Sequence, residues 1–168
     1  MKTLSKVGLT LGVITGAGLL ASQTPLAKKI PTPYNPIKTA NGTTTVAQTK
    51  TNEELATTVI GLYGSQHLKG SPWNKTEATL KTGLTVVKNP TSTQSMSYAL
   101  QIKDTAKKDA PYYRLVGPDH NQVNYYDGQS AQPKKTVPLA KVVDDTNHRY
   151  SNQQQNYFAT RVKIRYAQ

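Results

Sequence analysis

The distribution of large apolar side chains constrains this chain most, because only one part of it has enough of them to form a core. Between Ala27 and Lys50 such side chains are few, and three prolines and a Gly-Thr run interrupt the stretch. A segment of this composition buries too little apolar surface to offset the entropy lost on ordering. We therefore expect one small domain over residues 51–168, preceded by a disordered Pro/Thr-rich linker over residues 28–50.

The N-terminus has the pattern of an export signal. Lys2 and Lys6 form a short basic start, and an uncharged, mostly apolar run extends from Val7 to Ala21. This run is too short to span a bilayer comfortably, and small residues follow it at a suitable cleavage point. The pattern predicts a signal peptide over residues 1–27 and a secreted, cell-surface-associated bacterial protein. If the signal stayed uncleaved, it would tether the protein to the membrane.

Charge and cysteine content narrow the functional classes. The chain has no cysteine, which excludes disulfides, Cys-ligated metal and a lipid-modified N-terminal cysteine. The net charge is +12, and loss of the signal with its two lysines leaves +10. Such a charge favours a polyanionic partner. Export makes nucleic acid an unlikely partner and points to an anionic cell-wall polymer or cell surface, although the charge would also serve solubility alone.

The periodicity of the domain predicts an α+β fold that begins with a helix. The Thr51-x-x-Glu54 pattern has the form of a capping box, and Leu55, Val59 and Leu62 recur at helical spacing. We expect this helix to end near residues 68–70, where a glycine can adopt the left-handed conformation.

About four antiparallel strands are expected next, as a meander. Apolar residues alternate with polar ones from Leu80 to Val86, and again from Met96 to Ile102. Two tyrosine-rich runs, Tyr112–Val116 and Val123–Tyr126, flank a polar loop and predict a hairpin.

The C-terminal part of the chain is expected to be helical. Thr136 is suited to cap a short helix that continues through Val143, and Ser151-x-x-Gln154 repeats the capping-box form. We expect the last helix to run from about Asn152 to Ile164, although the sequence from residue 160 to residue 166 alternates as a strand does.

Several of these segments resemble those of small secreted proteins of lactic acid bacteria. The resemblance lies in Tyr112–Val116, Val123–Tyr126, Thr136–Leu139 and the Tyr150-Ser151-x-Gln153-Gln154 segment, and it covers roughly residues 50–166. It implies an exported protein with this order of elements, and it implies no catalytic residue. Many members of that group are lipoproteins, and the absence of cysteine here departs from them.

No arrangement of residues in the sequence indicates catalysis. His67, His120 and His148 are far apart, and none has a second ligand at metal-binding spacing. The acidic residues are few and fit helix starts and turns. The sequence therefore predicts a protein that is not an enzyme and that has no cofactor or metal, although carboxylates that meet only in space would escape this reasoning.

Tyrosine and arginine suggest a binding surface. Neighbours in a strand point to opposite faces, so one tyrosine of each hairpin pair should face outward. We predict that Tyr112 and Tyr125 do so beside Arg114, where they could stack on sugars and attract anions. The alternative is that the tyrosines only pair across the strands and stabilise the hairpin.

The basic tail provides a second set of candidate residues. No acidic residue follows Asp145, whereas Arg161, Lys163 and Arg165 are cationic. These three residues are predicted to engage the phosphates of a wall polymer or a membrane surface. Ordinary stabilisation of a helix C-terminus by cations would also explain them.

Three functions follow from these features. The leading hypothesis is a secreted, cell-wall-associated, non-enzymatic protein that binds an anionic surface polymer by charge. The second is an adhesin-like or inhibitor-like module that binds a protein partner through the tyrosine-rich hairpin. The third, a wall-active hydrolase, would require a pair of carboxylates or a Ser/His pair to converge in a cleft.

Overall fold

The computed structural model describes residues 42–91 and 95–168. The predicted signal peptide over residues 1–27 and most of the predicted linker lie outside the described residues. The described chain is a mixture of helices and strands, so the expected α+β class is confirmed.

Five α-helices of the described residues form one layer of the fold. The second helix is the centre of this layer, since it contacts each of the other four. All of its residues from Leu55 to Gly64 are buried, which explains why the helix is apolar on most of its circumference rather than on one stripe. The helices are α1 (Val46–Thr51), α2 (Glu53–His67), α3 (Thr76–Thr82), α4 (Leu139–Asn147) and α5 (Asn152–Ala159).

The strands that the structure describes number six, and they form the other layer as a single mixed sheet with the order β5-β4-β3-β2-β1-β6. All neighbouring strands are antiparallel except β1 and β6, which are parallel. The prediction of a four-stranded antiparallel meander was therefore wrong in the number of strands and in the parallel pair. The predicted tyrosine-rich hairpin is confirmed. The strands are β1 (Leu84–Pro90), β2 (Met96–Gln101), β3 (Tyr112–Val116), β4 (Gln122–Tyr126), β5 (Lys135–Pro138) and β6 (Val162–Tyr166).

Ordered structure begins before residue 51. Thr45 and Gln48 form a reciprocal capping box that starts α1, so the end of the expected linker is already helical. Thr51 lies at the end of this helix, and Asn52 caps α2 by accepting a hydrogen bond from the backbone N–H of Leu55 at 2.7 Å. The capping box expected at Thr51 is replaced by this asparagine cap.

The first predicted strand begins later than the alternation suggested. Residues 76–82 are helical, and the change to strand takes place at Gly83, whose φ of 121° is readily available only to glycine. A second difference lies around Pro138, where residues 135–138 pair with β4 before α4 begins. Pairing with a distant strand therefore overrides the short-range helix signal at Thr136.

The last predicted helix is also shorter than expected. It ends at Ala159, and Val162–Tyr166 pairs in parallel with β1 instead of continuing the helix to Ile164. The alternation between residues 160 and 166 thus reflects a strand, as its period of two indicates.

The core lies between the helical layer and one face of the sheet. The helices α2 to α5 contribute buried residues to it, Val46 of α1 packs against it, and alternate residues of every strand point into it. Trp73 is completely buried there; its indole N–H donates a hydrogen bond to the backbone carbonyl of Tyr126 at 3.0 Å. One face of the sheet is therefore committed to the core.

Candidate functional site: the open face of the sheet

The opposite face of the sheet, here called the open face, is not covered by any of the five helices of the described chain. Its residues are the strand positions that alternate with the core positions, and nearly all of them are partly or fully exposed. They are Thr85, Val87, Asn89, Ser97, Ala99, Gln101, Tyr112, Arg114, Val116, Gln122, Asn124, Tyr126, Thr136, Pro138, Lys163 and Arg165.

The charge of the strands is entirely of one sign. The six strands carry five cationic residues and no aspartate or glutamate. Lys88 and Lys135 point toward the helices. The other three, Arg114, Lys163 and Arg165, belong to the open face. None of these three forms an ion pair with a carboxylate of the described chain. The open face is therefore a positive surface whose cations have no internal counterion.

Strand registers bring distant residues into line across this face. Tyr126 lies opposite Tyr112, Tyr112 opposite Ala99, Ala99 opposite Val87, and Val87 opposite Arg165. This row, here called the central row, crosses five strands. Tyr112 and Arg165 are three strand spacings apart, or about 14 Å. A flat stretch formed by the two small apolar residues separates them.

Two tyrosines of the central row form a parallel stack. The rings of Tyr112 and Tyr126 are 4.4 Å apart with an angle of 2° between their planes. The hydroxyl of Tyr112 donates a hydrogen bond to the backbone carbonyl of Ser130 at 2.6 Å. Burial raises the pKa of Tyr112, and the cation of Arg114 opposes this rise. The ring of Tyr112 is therefore fixed in place while part of it remains exposed.

Arg114 lies beside this stack. Its guanidinium carbon is 5.5 Å from the ring centre of Tyr112 and 5.2 Å from that of Tyr126, within the range of cation–π attraction. Its Nε atom is buried and has no hydrogen-bond partner among the described residues. What bears on anion binding is its charge: no carboxylate of the described chain pairs with this guanidinium, so its charge is not neutralised within the fold.

A broad groove lies over the β1–β2 part of the open face. Its volume is about 930 Å³, and no carboxylate side chain of the described residues lines it. The floor contains Val87 and Ala99, and the cationic side chains of Lys107 and Arg165 line the groove. A smaller hollow of about 430 Å³ adjoins it and shares Ala99 and Lys107 with it, and Tyr112 lines this hollow. Both features are open surface depressions rather than closed cavities.

The structure brings four of the six sequence-predicted site residues to one surface. Tyr112 and Arg114 lie on the open face in β3, and Lys163 and Arg165 lie on the same face in the edge strand β6. The basic tail and the tyrosine-rich hairpin, which the sequence suggested as separate candidates, are therefore parts of a single face.

The other two predicted residues lie elsewhere. Tyr125 is fully buried, with its hydroxyl donating to the backbone carbonyl of Ile60 at 3.3 Å, so its expected outward orientation is corrected. Arg161 is held by a backbone carbonyl, that of Lys81 at 3.1 Å, and by the ring and hydroxyl of Tyr157. Its guanidinium is therefore already occupied within the fold.

Sequence reasoning missed Tyr126 and the small residues of the floor. A signal for Tyr126 was present, because a hairpin centred on Asp119 places residue 126 opposite residue 112 and residue 125 opposite residue 113. Tyr112 and Tyr125 therefore cannot share a face. For Ala99 the alternation from Met96 to Ile102 already indicated an outward position, whereas no comparable signal existed for Lys107, which lies in the β2–β3 connection beside the sheet.

A second cleft of about 280 Å³ lies between the helices α1 and α2 and the strands β2 and β3. It is lined by two carboxylates, Glu53 and Asp119, and by His120. Oε1 of Glu53 accepts hydrogen bonds from Lys88 at 2.5 Å and from Tyr98 at 3.2 Å. The hydrogen bond to Glu53 raises the pKa of Lys88 well above its usual value. Glu53 is therefore engaged in a salt bridge with a largely buried lysine.

The histidines do not form a metal site in the described part of the chain, where no group of three or more potential ligands occurs. His67 stacks on Tyr63 and lies 3.7 Å from Asp145. Burial lowers the pKa of His67, Lys135 adds to this effect, and Asp145 acts in the opposite direction. Within residues 42–91 and 95–168, no helix is long and apolar enough to cross a membrane.

The fold and the open face together define a cysteine-free α+β domain with a basic, partly aromatic sheet surface. Comparisons with protein-family models, with curated proteins and with solved structures find no significant match to this chain.

Proposed function

We propose that this chain is a secreted, non-enzymatic protein that binds an anionic polymer of the cell wall or cell surface through the open face of its sheet. The observation that carries the proposal is the charge of that face: Arg114, Lys163 and Arg165 are cationic, and no carboxylate lies within the six strands. The proposed secretion rests on the signal-like sequence of residues 1–27.

A polymer suits this surface better than a small molecule does. The cations are spread over the distance between β3 and β6, about 14 Å, and the depressions between them are open along the sheet. Small-molecule sites are usually concave and enclose most of the ligand. A charged chain lying across the strands would instead meet several cations in turn, and each contact would release counterions from it.

The test is co-sedimentation of the full chain with isolated Gram-positive wall sacculi over a series of salt concentrations. We expect binding at low salt that requires the anionic polymers of the wall. With about three charge contacts, the affinity should fall roughly 100-fold as salt rises from ~0.05 to ~0.5 M. Sacculi stripped of anionic polymers serve as the control. Absence of sedimentation at low salt would refute the proposal and assign the charge to solubility.

A wall-active hydrolase is the second candidate function, because Glu53, Asp119 and His120 line one cleft. Glycoside hydrolysis needs two carboxylates on opposite sides of the scissile bond. The salt bridge from Lys88 and the hydrogen bond from Tyr98 occupy one oxygen of Glu53, which gives this carboxylate a structural role. Polymer binding on the open face is therefore the better supported function.

Release of soluble fragments from purified sacculi distinguishes the two candidates. A hydrolase would lose this release on Glu53→Gln or Asp119→Asn while still sedimenting with the wall. We expect no release above background from the unaltered chain or from either variant. Release by the unaltered chain that disappears in both variants, while both keep its thermal unfolding midpoint, would establish the hydrolase instead.

A further inference from the structure

The ring of Tyr112 has one covered face and one uncovered face. It stacks in parallel on Tyr126 of the neighbouring strand. The two flat faces of the ring are therefore turned toward the neighbouring strands, one toward β4 and the other toward β2. One face of the ring is therefore covered from the β4 side, and the other is turned toward β2. The residue opposite on β2 is Ala99, and its single methyl group is too short to cover an aromatic ring.

The space on this side of the ring is the hollow of about 430 Å³ that Tyr112, Ala99, Lys107 and Gly128 line. The stack with Tyr126 and the hydrogen bond from the tyrosine hydroxyl to Ser130 hold the ring in position. A ligand that stacked here would not have to order the side chain on binding, and this lowers the entropic cost of association.

Cationic groups lie at suitable positions around this platform. Lys107 lines both the hollow beside Tyr112 and the adjoining groove, and Arg165 lines that groove. A chain that places a ring on Tyr112 can therefore present acidic groups to Lys107 and, further along the central row, to Arg165. One sugar ring cannot reach both ends of this path, since they are about 14 Å apart.

We propose that the polymer bound by the open face is an acidic polysaccharide, with one sugar ring stacked on Tyr112 above Ala99 and its acidic groups held by Lys107 and Arg165. This inference rests on the proposed function and specifies its ligand. The aromatic platform selects a chain of rings, whereas the cations alone would accept any polyanion.

The test compares two polyanions at the same salt concentration, polygalacturonate, a chain of acidic sugar rings, and inorganic polyphosphate, which has no rings. Binding of each to the full chain is measured by an equilibrium method such as biolayer interferometry. We expect Tyr112→Leu to weaken polygalacturonate binding roughly tenfold, because the stacking contact is lost. Polyphosphate binding should change by less than about twofold, because the variant keeps every cation.

Ala99→Leu is the second variant, because it leaves Tyr112 in place and fills the space in front of its ring. It should also weaken polygalacturonate binding selectively, and leucine at this partly exposed strand position does not disturb the core. Ala140→Leu, at an exposed position of α4 on the helical side of the molecule, is the matched control and should change neither affinity.

The possible failures are distinct. If the unaltered chain binds both polymers and neither variant changes their ratio, the polysaccharide inference is overturned while charge-based polymer binding stands. If the unaltered chain binds neither polymer at low salt, both proposals are overturned. Selective loss of polygalacturonate binding in both variants, with binding by Ala140→Leu unchanged, supports the inference.

Discussion

Replacement of Arg114, Lys163 and Arg165 by glutamine should lower the affinity for an anionic wall polymer by roughly 100-fold at low salt. Each cation close to an anionic surface contributes about 1 kcal/mol, and ~1.4 kcal/mol corresponds to a factor of ten. The dependence of binding on salt should also become weaker, because fewer counterions are released when three contacts are missing. Sedimentation with wall sacculi over a salt series measures both effects.

The matched control removes the same number of charges from the helical side of the molecule. Lys69, Lys75 and Arg149 are exposed there, and none of them forms an ion pair with a carboxylate of the described chain. Their joint replacement by glutamine should weaken binding far less than the triple change on the open face. Equal losses in the two triple variants would mean that net charge alone matters and that the open face has no special role.

Gly64→Ala should lower the free energy of unfolding by about 1–2 kcal/mol, although alanine is the better helix former. In the last turn of α2, where residue 64 is still helical, alanine would ordinarily gain up to ~1 kcal/mol over glycine. Here a Cβ atom at residue 64 would lie 2.5 Å from Cε3 of Trp73. The indole is fully buried, bonded to the carbonyl of Tyr126 and packed edge-on against Tyr125 at 5.0 Å. It therefore has no space into which to move, and overpacking of this kind costs ~1–3 kcal/mol or more.

A double-mutant cycle isolates the cause of this loss. Trp73→Leu should itself lower the free energy of unfolding by about 3 kcal/mol, because it leaves a cavity in the core. In that background Gly64→Ala should become neutral or stabilising, since the clash is gone and only the helix propensity remains. Denaturant unfolding of the four proteins gives the coupling energy. A destabilisation by Gly64→Ala that persists without the indole would contradict the steric explanation.

Local patterns in the sequence were sufficient for several elements. The helix from residue 53 to residue 67 and the hairpin of β3 and β4 were predicted because their signals are short-range: an apolar repeat in the first and a polar loop between alternating runs in the second. The sequence of the C-terminal segment also contained the correct signal, since residues 160–166 alternate as in a strand. The prediction of a helix there was wrong because the preceding capping box is a genuine helix start, and the sequence does not mark where that helix stops.

The candidate site was only partly predictable for the same reason. Alternation indicated that one tyrosine of each pair faces outward, but it did not say which one. The packing of the helices decides this by selecting the face that holds Tyr113 and Tyr125. Likewise, Lys88 is only 8% exposed, and the residues next to it in the sequence do not indicate that this lysine is buried. Its environment depends on Glu53 and Tyr98, which are distant in the sequence.

The sequence by itself determined the charge excess, the absence of cysteine, the α+β class and the presence of the tyrosine and cationic residues for which we propose a binding role. Those properties follow from composition and from periodicity over a few residues. Only the tertiary structure decided that the hairpin and the basic tail belong to one surface. The two sets of residues share a surface because β6, which follows the last helix, pairs with the distant strand β1. This pairing aligns Arg165 with Val87, Ala99 and Tyr112. Such a long-range pairing depends on how apolar residues from the whole chain are buried together, and no local sequence pattern reports it.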